Sequence, residues 1–249
     1  MKTKLFAFSL IFLFTATAFS QIESVKITPR KIVHRRTNTR TDFKKKYTIV
    51  YPKISGVADR RLKQKIERNL RYEKTFDFYF TSGLDEEYHL LDKGYYRVVY
   101  NKNGILNLRF SIDVSTAYKS HYDKTIAVNL KTGELIKPDE VFIRAKQEQL
   151  AARINKSLQA EIARAVRRVK KELGASDEGG QILAQFREKI FTPLYLYDFE
   201  VSDKGITFVY TYDYADIAGK YKPAGRFFLS HAQLRPFVRR DGLLGKFIK

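Results

Sequence analysis

The chain has 249 residues, with 47 Lys+Arg against 27 Asp+Glu and neither Cys nor Trp. A composition that is 44% hydrophobic and 14% aromatic excludes general disorder, and the length leaves room for one large domain or two small ones. Without cysteine there is no disulfide, no thiolate nucleophile and no Cys-based zinc or iron–sulfur site.

Residues 1–20 carry the three parts of a secretory leader. Lys2 and Lys4 form a positive start, Leu5 to Phe14 an apolar run broken only by Ser9, and Ala18 and Ser20 are the small residues of a cleavage site before Gln21. The apolar run is shorter than the ~20 residues of a comfortable membrane span. The expectation is an exported chain, periplasmic or secreted, that begins at Gln21. Losing Lys2 and Lys4 takes its formal charge from +20 to +18.

Residues 21–46 form a basic lead-in that runs into an edge strand: Lys26, Arg30, Lys31, Arg35, Arg36, Arg40, Lys44, Lys45 and Lys46 face only Glu23 and Asp42. Tyr47–Pro52 reads as a strand ended by proline, and Gly56–Tyr72 as an amphipathic helix on Leu62, Ile66 and Leu70. Tyr95–Tyr100 and Ile105–Val114 make a hairpin through Asn101-Lys102-Asn103-Gly104. Thr125–Leu130 is a third strand, and Pro138–Phe142 starts a helical region. Gln147–Leu173 is the longest helix, with Leu150, Ile154, Leu158, Ile162, Ala165, Val169 and Leu173 on one stripe and Gly174 as its stop. After a Ser176–Gly180 loop come a short helix over Gln181–Ile190, strands at Leu194–Val201, Ile206–Tyr214 and Phe227–Leu229, and a final turn or two of helix over Ala232–Val238. Hairpins without regular β-α-β alternation predict an α+β fold, with antiparallel sheets packed on helices in two parts, 47–142 and 143–249.

Several motifs in this order resemble a known family. They are Tyr51-Pro52-x-Ile54-Ser55-Gly56, then Asn103-Gly104-Ile105-Leu106-x-Leu108, then Val128-x-Leu130-x-Thr132-Gly133. Near the end come Phe199-x-Val201-x-x-x-Gly205-Ile206-x-Phe208-x-Tyr210 and Tyr214-x-x-Ile217-Ala218-x-x-Tyr221-x-x-Gly225. Together they resemble the exported domain pair of RsiV-type anti-sigma factors and of a bacterial peptidoglycan deacetylase, across residues 47–240. The resemblance implies an extracellular α+β module; in the anti-sigma factors that module senses envelope attack by binding lysozyme. This sequence departs from both relatives. The expectation is therefore a chain without a sigma-binding segment, a transmembrane helix or a deacetylase domain with paired metal-binding histidines. Where the family often has a Gly-rich stretch with a histidine, it reads Tyr118-Lys119-Ser120-His121-Tyr122.

The feature that points most directly to a ligand is on the longest helix. At 100° per residue, Arg153, Lys156, Arg164, Arg167 and Lys171 fall opposite the apolar stripe, and no acidic residue shares their arc. The array suits a polyanion such as an anionic envelope glycan or lipid surface; it equally suits an ordinary solvated face. His121, Tyr214 and Tyr221 join these five as candidate ligand residues. The aromatic alternations Phe208, Tyr210, Tyr212, Tyr214 and Tyr195, Tyr197, Phe199 fit sheet faces, with sugar stacking as the functional alternative. Asp213, Asp216 and His121 are the nearest approach to catalytic groups, and turn, cap and loop roles account for them. The four histidines, His34, His89, His121 and His231, are too far apart for a short metal motif, and no P-loop, dinucleotide fingerprint or Gly-x-Ser-x-Gly elbow occurs. No cofactor is expected. The function that fits is a non-enzymatic exported module that binds peptidoglycan or another anionic glycan. The alternatives are a protein-binding module of the lysozyme-sensing or lysozyme-inhibiting type, and a hydrolase or deacetylase of envelope glycans. Nucleic acid fits the charge but not the export route.

Overall fold

The computed structural model describes residues 22–36, 45–77, 90–115, 119–212, 216–245 and 248. The leader 1–20, Arg40, Lys44, His89, Tyr118, Asp213 and Tyr214 lie outside these residues. Among the described residues, no helix is long and apolar enough to cross a membrane.

The fold is α+β. Strands β1 (Lys26–Arg35), β2 (Lys46–Ser55), β3 (Leu90–Lys102), β4 (Ile105–Ser115) and β5 (Lys119–Asn129) form one sheet in chain order. The basic segment thus supplies the expected edge strand, paired with β2 along its whole length. Pro52 does not end β2; it faces Pro29 across the pair, and since neither has an N–H this position carries no ladder bond. The β2–β3 step is parallel, at Thr48–Lys93 and Ile49–Gly94, so the sheet is mixed. A parallel step needs a crossover, and here it contains α1 (Arg60–Asn69) and α2 (Tyr72–Thr75). Asp59 caps α1, its carboxylate accepting from the N–H of Arg61 and Leu62 at 2.7 and 3.2 Å. The expected single helix breaks at Arg71, whose backbone is extended, and the break turns Tyr72 into the core. Gly94 makes room for that ring: a Cβ there would lie 3.0 Å from Tyr72 Cε1.

The β3–β4 hairpin turns where the sequence predicts. Asn103 and Gly104 both have positive φ, 54° and 74°, as a type I′ turn requires. β5 starts at Lys119, earlier than the expected Thr125, so the described part of the Tyr118–Tyr122 stretch is strand rather than loop. His121 pairs with Asp113. The polar residues His121, Asp123 and Thr125 alternate along this segment, which hides it from a hydrophobic pattern. On the opposite face Leu106, Leu108, Phe110, Ile112 and Val114 pack with Ile66, Leu70 and Tyr72 into a first core.

The second half begins with α3 (Pro138–Val141) and the long helix α4, which spans Gln147–Leu173 as its apolar stripe predicts. Gly174 follows at φ 60° and donates its N–H to the Lys170 carbonyl. Helix α5 (Asp177–Gln185) starts inside the expected loop, because Ser176 caps it by accepting from the Gly179 N–H at 3.1 Å. The expected strand from Leu194 is instead a 3₁₀ turn, Pro193–Tyr197, so Tyr195 and Tyr197 do not alternate with Phe199 on a strand face. Only β6 (Phe199–Ser202) remains extended. It pairs with β7 (Gly205–Val209), which stops short of the expected Tyr214, and β7 pairs with β8 (Arg226–Ser230) before α6 (His231–Leu234). The α4 stripe packs on Phe199, Val201, Ile206, Phe208, Phe227 and Leu229, forming a second core.

A polar seam joins the two cores. β4 is buried on both faces from Ile105 to Leu108, because β6 crosses it there. Buried Asn107 accepts from the Val201 N–H at 2.8 Å and donates to the carbonyls of Phe199 and Ile126 at 3.2 and 3.0 Å. Beside it, buried Glu200 is gripped by Arg109 and Arg226, with Arg97 4.0 Å away.

Candidate functional site

Helix α4 presents its two faces differently because its three glutamates are unevenly placed. Glu161 and Glu172 turn toward the segment that precedes β8. Glu161 accepts from the Gly225 N–H at 3.1 Å. Glu172 accepts from Lys220 Nζ at 2.6 Å and from the Tyr221 hydroxyl at 3.1 Å, and the Lys220 ammonium holds its carboxyl below the usual range. Glu148 sits in the first turn. No carboxylate is left for the basic arc. Arg153, Lys156, Arg164, Arg167 and Lys171 are all exposed, and among the described residues none of their side chains has a hydrogen bond or ion pair. At 1.5 Å per residue they span about 27 Å along the helix.

Tyr221 sits at one flank of this arc. Its ring is buried, with the Arg168 guanidinium 5.2 Å and the Lys220 ammonium 5.3 Å from the ring centroid. Arg168 also donates to the Lys220 carbonyl, which ties the segment to the helix. Glu161, Arg164, Arg168, Tyr221 and Lys222 line an open cleft of about 340 Å³ between helix and segment. The structure therefore brings Arg164 and Tyr221 together, with Tyr221 as wall and Arg164 at the rim. Arg168 and Lys222 are cleft residues that sequence reasoning missed. Arg168 was in reach of it, since the wheel puts it beside the arc, whereas Lys222 reaches the helix only through the fold.

His121 lies elsewhere, on the outer face of the five-stranded sheet. Its Nδ1 is 2.8 Å from Asp113 and its Nε2 3.0 Å from Asp123, which also accepts from Ser111 at 2.5 Å. It lines a separate groove with Lys31, Asp92 and Lys93. Among the described residues, no set of three or more His, Asp or Glu side chains is disposed to hold a metal. Tyr210 and Tyr212 are buried, so the part of the C-terminal aromatic series that can be placed belongs to the second core. Burial and the neighbouring Tyr195 push the Tyr210 hydroxyl up to about 12.

The arc and cleft place a row of exposed, unpaired cations beside a wall of aromatic and aliphatic carbon. No family model matches the chain, and no curated protein matches it by sequence. Crystal structures that share its fold include the following two. A DUF3298-family member from Bacteroides fragilis is 14% identical, with a TM-score of 0.59, over 92% of this chain and 99% of that one. A DUF3298-family protein from Pseudomonas aeruginosa is 8% identical, with a TM-score of 0.56, over 88% of this chain and 96% of that one. The fold is therefore that of DUF3298-family structures over nearly the whole chain.

Proposed function

We propose that the protein is a non-catalytic binding module of the cell envelope whose ligand is an anionic polymer, peptidoglycan or another anionic glycan. The observation that carries this reading is the α4 arc: five exposed cations in a row of about 27 Å with no carboxylate to neutralise them. Exposed charges with protein partners contribute little to binding, because a ligand must first displace the partner. Unpaired ones are free to meet repeated anions. The formal charge of +18 that is left without residues 1–20 strengthens the attraction at long range and slows encounter with a cationic lysozyme-like protein. The order of the sequence motifs and the likeness to DUF3298-family folds support reading the chain as a relative of the exported RsiV-type module, working outside the cytoplasm after removal of residues 1–20.

Co-sedimentation with purified peptidoglycan, lipopolysaccharide, DNA and lysozyme, at low and high salt, tests this. The expected result is capture by peptidoglycan or lipopolysaccharide at low salt and release at high salt. Failure to bind either envelope polymer at low salt contradicts it. Mass spectrometry of the exported protein should find a chain beginning at Gln21; one beginning at Met1 would remove the export part.

A further inference from the structure

Four of the seven large hydrophobic side chains exposed among the described residues fall within eight positions: Ile190, Leu194, Tyr195 and Tyr197. Scattered exposed apolar residues are ordinary, but a cluster marks a contact surface. The 3₁₀ turn Pro193–Tyr197 creates the cluster, because it turns only Leu196 inward. Leu194 is 80% and Tyr197 57% exposed. The turn is held firmly all the same. The Phe191 N–H donates to Asn155 at 3.0 Å, and Gln159 donates to the Lys189 carbonyl at 2.7 Å, both from α4. The Tyr195 ring packs 4.6 Å from Tyr210 and 5.5 Å from Phe191, centroid to centroid.

This turn lines a groove of about 570 Å³ that opens between the two halves of the chain. Asp123 and Lys124 come to it from β5, and Asp198 from the end of the turn itself. The Asp198 carboxylate accepts from the Thr125 N–H at 3.1 Å. Part of the residue stays accessible, yet packing around the carboxyl pushes its pKa up to about 6. An enclosed carboxylate beside exposed aromatic rings is costly for folding alone, and such arrangements gather at functional sites.

We propose that this groove is a subsite for an uncharged pyranose ring of a glycan chain. A sugar ring offers an apolar C–H face and a rim of hydroxyls. Tyr195, Tyr197 and Leu194 match the face, while Asp198, Asp123 and Lys124 match the rim as acceptors and donor. The lining carries three carboxylates, Asp77, Asp123 and Asp198, against two ammonium groups, Lys74 and Lys124, so a wholly apolar partner would strip water from charged groups without offering them further bonds, and a polyanion would meet a wall of net negative charge. No residue of α4 lines the groove, so its occupancy is independent of the basic arc and of the polyanion reading.

The test is calorimetric titration of the full mature chain with two neutral probes, tetra-N-acetylchitotetraose and cellotetraose, at high salt, where binding to the arc is screened. The expected result is saturable binding of at least one probe, weakened about tenfold or more by Tyr197→Ala, a loss of some 1.4 kcal/mol. Asp198→Asn should also weaken it, while Arg153→Gln, Arg164→Gln and Arg167→Gln together should leave it unchanged. Tyr197 is largely exposed, so its removal leaves the fold, read by thermal melting, intact. No saturable binding of either probe, or binding that Tyr197→Ala does not weaken, overturns the proposal, whatever the polyanion assays give.

Discussion

Two regions of this molecule hold arginine in opposite ways. At the seam, Arg109 and Arg226 close on one buried carboxylate, Glu200, and every group involved joins β6 to its neighbours. On α4, five exposed cations have no carboxylate paired with them, because the helix commits Glu161 and Glu172 to the segment at its flank. The difference teaches where charge serves the fold and where it is free for a ligand. Desolvated charge must be paired, and removing a partner is severe. Solvated charge without a partner contributes almost nothing to stability, so the arc can meet a ligand without cost to the fold.

Breaking the seam should have the largest effect. Glu200→Ala leaves Arg109 without its carboxylate and should destabilise the fold by about 3–5 kcal/mol in denaturant titration; a loss under about 1 kcal/mol would show that the seam charges are solvated like those of the arc. Asn107→Ala should follow at on the order of 3 kcal/mol, since it orphans the Val201 N–H and the Phe199 carbonyl, each worth about 1–3.

Asp198 sharpens the comparison through pH. Its folded pKa, about 6, lies above the unfolded value of about 3.8. The folded state therefore binds the proton more tightly, and stability from this group is full below pH ~4 and lost as pH rises through ~6. Asp198→Asn should accordingly stabilise the protein at neutral pH by at most about 3 kcal/mol, less where solvent reaches the carboxyl, and by almost nothing near pH 4. Thermal melts of both proteins across that range check the sign; an Asn variant that is less stable at neutral pH would refute it. The smallest stability effect belongs to the arc: each of Arg153→Gln, Arg164→Gln and Arg167→Gln should change stability by no more than ~0.5 kcal/mol.

What the sequence discloses depends on the range of each interaction. Helix α4 is legible to its last residue because its seven apolar positions and Gly174 are local, and the Asn103-Gly104 turn is legible for the same reason. The Pro193–Tyr197 turn misleads because Tyr195, Tyr197 and Phe199 imitate strand alternation, and the start of α5 is missed because Ser176 reads as loop although it is the cap. The basic arc can be drawn on a wheel, but whether its cations are paired depends on Glu161 and Glu172 meeting residues 48 to 64 positions away. The seam is invisible in the sequence: Asn107 and Arg109 find their partners 91 to 94 residues further on.

The central claim is that the α4 arc is free charge aligned for a polyanion, and one titration tests it most directly. Wild type and the triple variant Arg153→Gln, Arg164→Gln, Arg167→Gln are titrated with soluble peptidoglycan fragments and with lipopolysaccharide over a range of salt. The expected result is weaker binding by the variant at low salt and a shallower salt dependence, by about one unit of log–log slope for each charge removed, by analogy with counterion release from nucleic acids. Equal affinity and equal slope for the two proteins would contradict it, and would leave the arc as a solvated face.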